Sequence, residues 1–245
     1  MTSRYESIDV IVLAGGRGTR LAPYTTVLPK PLMPIREMPV LEILLRRLRA
    51  AGFTRVHLAV GYLAELIEAY FRDGERFGIE LRYLREDQPL GTAGPLAELE
   101  SDAEHLLVMN GDLFTALDFG KLVDYHLERG ATATIATLER EVPIEFGVIR
   151  LDQDTIVGFD EKPTLTYDVS MGVYAFEREV AKLIPPGERF DFPDLVLSLL
   201  HDGKDVAAYR SKDFWLDIGR REDYELAQER FDELAHELLP ESNGS

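Results

Sequence analysis

Cysteine is absent from this chain of 245 residues, and tryptophan occurs once, at Trp215. Disulfides and thiolate metal sites are thereby excluded, and a cytoplasmic setting is the expectation. Histidine is scarce too. His57, His105, His126, His201 and His236 keep no metal-ligating spacing and read as structural or surface residues. No apolar run approaches the roughly 20 residues of a membrane span. Residues 1–6 lack the apolar stretch of a signal peptide. Positive charge is in deficit: 27 Lys and Arg face 44 Asp and Glu, a formal net charge of −17. That balance argues against a nucleic-acid partner. Neither a G-x-S-x-G motif nor a His, Asp and Ser arrangement is present to support hydrolase chemistry.

The deficit is uneven. Residues 1–50 hold eight Lys and Arg against four Asp and Glu. A polyanionic substrate finds its favourable field there, and Mg²⁺ would offset the repulsion elsewhere. In this stretch the apolar run Ile8–Leu13 empties into Ala14-Gly15-Gly16-Arg17-Gly18-Thr19-Arg20-Leu21, followed by Pro29-Lys30-Pro31. Glycines let backbone N–H groups converge, because φ > 0 costs them nothing and no Cβ blocks approach. Guanidinium and ammonium groups around such a nest suit a polyphosphate. Neither common phosphate loop fits. No Lys-Ser or Lys-Thr follows the glycines, as a P-loop requires. Leu21 stands where a dinucleotide fingerprint needs its third glycine, which removes the case for a dinucleotide-dependent oxidoreductase.

Apolar runs alternate with helical periods through the first half, as in βαβ units. Strands are expected at Ile8–Leu13, 56–60, 79–84, 105–109 and 132–138. Helices are expected at Val40–Ala50, Ala64–Phe71, 95–100 and 121–128, the last capped by Asp118. The second half reads as a hairpin (148–151 with 155–159), a strand over 169–176, a helix over 193–200 and a final helix over Arg221–Leu238. Tyr224, Ala227, Phe231, Leu234 and Leu238 give that helix one apolar stripe, for its own domain or for another subunit. The fold class that follows is α/β: a Rossmann-like, mostly parallel sheet with helices on both faces, plus a small mixed α+β lobe. Ligands of such sheets bind beyond the carboxyl ends of strands.

Seven segments occur in an order that resembles the sugar-1-phosphate nucleotidylyltransferases. They are Gly15-Gly16-Arg17-Gly18-Thr19-Arg20-Leu21 with Pro29-Lys30-Pro31, then Gln88-Pro89-Leu90-Gly91-Thr92-Ala93-Gly94, then Asn110-Gly111-Asp112. Phe146-Gly147-Val148, Glu161-Lys162-Pro163, Ser170-Met171-Gly172-Val173-Tyr174 and Trp215-Leu216-Asp217-Ile218-Gly219 complete the set. The resemblance spans residues 8 to about 230. It implies an enzyme that joins an NTP to a sugar 1-phosphate and expels pyrophosphate with Mg²⁺.

Residue by residue, the resemblance implies a nucleotide site at Leu13, Gly15, Gly16, Gly18, Thr19, Gln88, Gly91 and Thr92. Arg20, Lys30 and Lys162 would be catalytic, Lys162 also holding the sugar phosphate. Gly147, Glu161, Ser170 and Gly172 would face the sugar, and Asp112 and Asp217 would hold the metal. Ser170 departs from the asparagine frequent at its position, which leaves the sugar open. The motif dialect is closest to guanylyltransferases of mannose-, heptose- or amino-sugar-type phosphates, so GTP is expected. A thymidylyl- or uridylyltransferase on a glucose-type phosphate is the alternative. A non-catalytic nucleotide-sugar-binding regulatory subunit is another. Residues 1–235 are expected as one domain, with a nucleotide-binding half (about 1–130) and a sugar-binding half (about 131–235). A disordered tail is expected over 236–245, no membrane contact, and a homo-oligomer as is common in the family.

Overall fold

The computed structural model describes residues 4–239. The first strands are β1 (Ile8–Leu13), β2 (Pro34–Ile35), β3 (Met38–Pro39), β4 (Arg55–Val60), β5 (Glu80–Arg85), β6 (His105–Asn110) and β7 (Leu113–Thr115). The later ones are β8 (Ala133–Pro143), β9 (Val148–Asp152), β10 (Thr155–Asp160), β11 (Thr164–Glu177), β12 (Val206–Ser211) and β13 (Trp215–Asp217). Among the described residues five α-helices accompany them: α1 (Val40–Ala50), α2 (Ala64–Phe71), α3 (Phe119–Arg129), α4 (Phe192–His201) and α5 (Arg221–Leu238).

Seven strands make one sheet, in the order β12-β8-β11-β6-β1-β4-β5. β1 runs parallel to β4 and β6, β4 to β5, and β12 to β8. Within the sheet β11 runs antiparallel to both neighbours, β6 and β8. From β1 the chain moves to one side for β4 and β5, then returns to the other side for β6. The order thus reverses between β1 and β6, the place where open α/β sheets bind ligands.

β1 is buried on both faces, with Val10, Ile11 and Val12 fully enclosed, as an unbroken apolar run in a parallel sheet requires. On one face α1 contributes Leu41, Leu44, Leu45 and Leu48. On the other, Phe192, Leu195 and Leu199 of α4 pack with Ile11 and Phe176. The stripe of α5 packs on its own domain: Ala227, Phe231, Leu234 and Leu238 meet Val40, Ile43 and Phe114. The same helix keeps 236–238, which the expected tail would have released. Residues 240–245 lie outside the described residues. Among those described, no helix is long and apolar enough to cross a membrane.

Past the sheet, β8 and β11 continue as a paired arm, Thr164 opposite Pro143 at its tip. The β9–β10 hairpin lies in the connection between them. Its cross-strand pairs Ile149/Phe159 and Leu151/Ile156 share one face, and these four side chains are 48–62% exposed. The helices of the second half, α4 and α5, stay with the sheet, so the projecting lobe itself is β structure.

His126 of α3 is buried. Its Nδ1 lies 2.9 Å from Thr134 Oγ1 and its Nε2 3.2 Å from His105 Nδ1. Burial, with the neighbouring His105 adding to it, pushes its pKa from 6.5 down to about 4. The folded protein therefore binds this proton less readily than the unfolded chain does. The stability that depends on neutral His126 is complete above pH 6.5 and is lost as pH falls toward about 4. Denaturant unfolding at pH 7 and pH 5 should show a loss on the order of 2 kcal/mol from this group. His126→Gln should flatten the pH dependence by that amount; an unchanged slope would refute the assignment.

Candidate active site

The site is built at the reversal between β1 and β6. Ala14 N–H donates to Ala59 O (2.7 Å) and Gly111 N–H to Leu13 O (2.8 Å), so the ends of three strands are tied together. A Cβ on Gly111 would lie 2.8 Å from Leu13 O, which explains glycine in Asn110-Gly111-Asp112. After Gly16 the chain folds through three short 3-10 turns, Thr19–Leu21, Tyr24–Thr26 and Lys30–Leu32. They return Lys30 to the loop. Gly18 takes φ +60°, a Cβ there would sit 3.1 Å from Lys30 Cβ, and Thr25 Oγ1 donates to Gly18 O at 2.8 Å.

Asp112 and Asp217 are far apart in sequence and adjacent in space. The β7–β13 ribbon pairs Leu113 with Asp217, and Ile218 N–H donates to Asp112 O at 3.1 Å. Trp215 Nε1 anchors the ribbon on Met171 O at 2.7 Å. The buried ammonium of Lys30 pairs with Asp112 Oδ2 and lies 3.5 Å from Asp217 Oδ1. Burial pushes the Asp112 carboxyl up against the lowering pull of Lys30, and the charge of Asp217 adds to the rise. Asp112 Oδ1 and Asp217 Oδ1 are buried without a hydrogen-bond donor. Arg20 reaches the same corner, its guanidinium 3.2 Å from the point a Cβ on Gly219 would occupy.

These groups face a cavity of about 370 Å³. Leu13, Gly15, Gly16, Arg20, Lys30, Gly91, Thr92, Asp112 and Asp217 line it, together with Glu86, Asn110, Arg189 and Asp191. Gly18 and Thr19, at the start of the first 3-10 turn, are not among the lining residues. Arg17 lies over the Tyr62 ring, 5.8 Å from its centroid, in a side groove that also holds Gln88.

The loop over residues 88–94 is knitted to the segment before α4. Ala93 and Gly94 N–H donate to Phe190 O (2.9 and 3.0 Å), and Phe190 N–H returns a bond to Leu90 O (2.8 Å). Thr92 N–H and Oγ1 both donate to Asp191 Oδ1, at 2.9 and 3.2 Å. Gln88 spends its Nε2 on Gly187 O at 3.3 Å. Glu86 lies one residue past β5, half-buried. Among the described residues its carboxylate accepts a single long bond, from Leu90 N–H at 3.4 Å. Burial is the main cause that pushes this carboxyl above its ordinary value.

The residues expected to face a sugar divide. Gly172, at φ +70°, lies against Asn110, whose Nδ2 would be 2.6 Å from a Cβ there. Ser170 Oγ accepts from Gly172 N–H and donates to Tyr174 Oη, both at 3.2 Å. Gly147 lies under the Phe159 ring. Glu161 and Lys162 sit exposed in the turn between β10 and β11. These three do not line the cavity. Glu86, Arg189 and Asp191 line the cavity outside the quoted motifs, and Asn110 lies in a motif without having been assigned a role. Glu86 and Asn110 could have been found from the strand-end rule. Arg189 and Asp191 carry no local signal, since only the fold brings them to the loop.

A family model described as nucleotidyl transferase matches residues 9–233. A UTP–glucose-1-phosphate uridylyltransferase of Synechocystis sp. is 37% identical over 238 residues, covering 89% of this chain and 61% of that protein. A mannose-1-phosphate guanylyltransferase of Mycobacterium tuberculosis is 36% identical over 228 residues, covering 89% and 62%. The crystal structure of HddC from Yersinia pseudotuberculosis, complexed with GMP-PN, superposes with a TM-score of 0.72 at 28% identity, over 91% of this chain and 99% of that one. The chain thus spans about three-fifths of the length of these two curated relatives.

Gly91 joins the cavity to the segment behind it. It takes φ +82°, and a Cβ would lie 2.6 Å from Phe190 O and 2.8 Å from Asp191 Oδ1. Gly91→Ala should destabilise the fold by roughly 1–3 kcal/mol, through the positive φ and the backbone clash together. Thermal unfolding checks this, and an unshifted Tm would contradict it.

Proposed function

The chain belongs to the nucleotidyl transferase family, and we propose that it transfers a nucleotidyl group from an NTP to a sugar 1-phosphate. A phosphate oxygen of the sugar attacks the α-phosphorus; the bond to the β-phosphate oxygen breaks and pyrophosphate leaves with the electron pair. The nucleophile is already largely ionised at neutral pH, its second pKa being ~6, so no general base is required. Positioning and charge neutralisation then carry the catalysis.

The observation that carries this reading is the meeting of Gly15–Gly16 backbone, Arg20, Lys30 and two carboxylates in one cavity at the sheet's reversal point. The glycine backbone would cradle the phosphates. Arg20 would stabilise the charge that develops on pyrophosphate, and Lys30 would bridge phosphate oxygens. Asp112 and Asp217 fit a hard divalent cation: both are carboxylates, and each keeps a buried oxygen without a donor. Among the described residues no three His, Asp or Glu groups converge, which suits Mg²⁺ held by one or two carboxylates and substrate oxygens. When bound, Mg²⁺ would neutralise phosphate charge. The presence of both carboxylates with both cations favours an enzyme over a regulatory subunit. The sugar would lie on the side of Gly172 and Ser170, under the lobe that carries Gly147, Glu161 and Lys162. A sugar-binding half over residues 131–235 is proposed on that basis.

GTP is the proposed nucleotide, and Glu86 supports it. The base edge of guanine presents two adjacent N–H donors. A carboxylate short of donors can accept both. Uracil and thymine present one N–H between two carbonyls, which a carboxylate repels. Gln88, already bonded to Gly187 O, is the weaker candidate for this role. The guanylyltransferase name of the Mycobacterium relative agrees with GTP, while the Synechocystis relative keeps uridylyl transfer to glucose 1-phosphate as the second reading.

A pyrophosphate-release screen of four NTPs against mannose-, heptose-, amino-sugar- and glucose-type 1-phosphates tests the assignment. GTP should give the highest kcat/KM, and a preference for UTP or dTTP would overturn the base assignment alone. Glu86→Gln should lower kcat/KM for GTP by about 10²-fold or more, because the guanine donors lose a charged acceptor.

Arg20→Ala should lower kcat more than it raises the KM for NTP, by on the order of 10² to 10³. A pure KM effect would assign Arg20 to ground-state binding instead.

A further inference from the structure

A lysine meant for phosphate should point its ammonium into the cavity. Lys30 lines the cavity, but its ammonium is held by two carboxylates of the same lining. Its side chain is 10% exposed, pairs with Asp112 Oδ2 and lies 3.5 Å from Asp217 Oδ1. Its Cβ packs beside Gly18, whose carbonyl accepts from Thr25 Oγ1. Beyond that lies a flexible four-carbon stem. The ammonium therefore stands among the carboxylate oxygens that a divalent cation would also claim. Asp112 Oδ1 keeps no donor, but a divalent ion bound there would meet the charge of the ammonium and be repelled by it.

We propose that Lys30 is a tethered stand-in for the metal. It rests on the nucleotidyl-transfer reading above. In the metal-free protein Lys30 screens Asp112 from Asp217 and keeps the two carboxylates together. With a divalent cation held by Asp112 and Asp217, the ammonium would be repelled and would turn on its stem toward the rest of the cavity it already lines. There it meets the nucleotide phosphates. Lys30 thus becomes a phosphate ligand only after the cation is in place, which couples metal binding to nucleotide binding through one side chain.

The test measures Mn²⁺ affinity by electron paramagnetic resonance on metal-stripped, nucleotide-free protein. Lys30→Met and Lys30→Gln should each bind Mn²⁺ about tenfold tighter than wild type, since a competing cation has gone. Asp217→Asn should bind it more weakly. A second measurement uses wild type alone, so a variant that fails to fold does not end the test. Acetylation of the Lys30 amine by acetic anhydride, read by peptide mass spectrometry, should be slow without metal. It should speed up with Mg²⁺ and slow again with Mg²⁺ and GTP together. Unchanged or weaker Mn²⁺ binding in the folded variants, or Lys30 reactivity indifferent to Mg²⁺, overturns the stand-in role and leaves the transfer reaction standing. Wild type and variants that all fail to bind Mn²⁺, with or without GTP, would overturn the metal assignment as well.

Discussion

Asp112 and Asp217 share one half-buried corner, where like charges repel unless a cation stands between them. The surrounding structure is arranged to supply that cation and to hold the pair in register. The β7–β13 ribbon aligns the carboxylates, with Trp215 pinned to Met171 O. The three 3-10 turns after Gly16 bring Lys30 to them from the other side. Removing Lys30 would leave two uncompensated carboxylates, and removing one carboxylate would leave part of a buried cation unpaired. The corner is therefore electrostatically committed before any ligand arrives.

The opposite wall works by hydrogen bonding. Residues 88–94 are held by main-chain bonds to Phe190 and by the Asp191 carboxylate, so the loop that would face a base cannot relax on its own. Glu86, beside it, is left with one long bond. A rigid wall with an undersatisfied acceptor suits recognition of a donor-rich edge, because a mismatched ligand leaves that acceptor unpaired in the site.

What the sequence made legible follows from periodicity and from strand ends. β1, α1, α2 and α5 were readable because a buried strand is an unbroken apolar run and a packed helix shows its stripe. Asp118 was readable as a cap and does accept from Lys121 N–H at 3.0 Å. The strands β7, β12 and β13 were not readable. β7 and β13 are three residues each, and β12 is a half-exposed edge. β8 and β11 run further than expected because their outer segments carry polar and charged residues, paired to each other and open to solvent. Within the site, motifs at the ends of β1 and β6 were found, whereas Arg189 and Asp191 depend on contacts made across the chain. Glu161 and Lys162 matched a family pattern, yet their place on an exposed turn could not be read from a pattern alone.

β11 gives the protein an indivisible seam. The sheet's central strands come from the first half of the chain, while β11, β8 and β12 come from the second and complete the same sheet beyond β6. Five consecutive residues of β11 pair with β6, Val173 opposite Met109 to Glu177 opposite His105. A chain divided near residue 130 would expose the edge of β6, a bare row of N–H and C=O groups and a template for aggregation. The two halves of the chain therefore cannot be exchanged between relatives as modules. Recombination that respects this fold must move side chains on a shared scaffold, never whole halves.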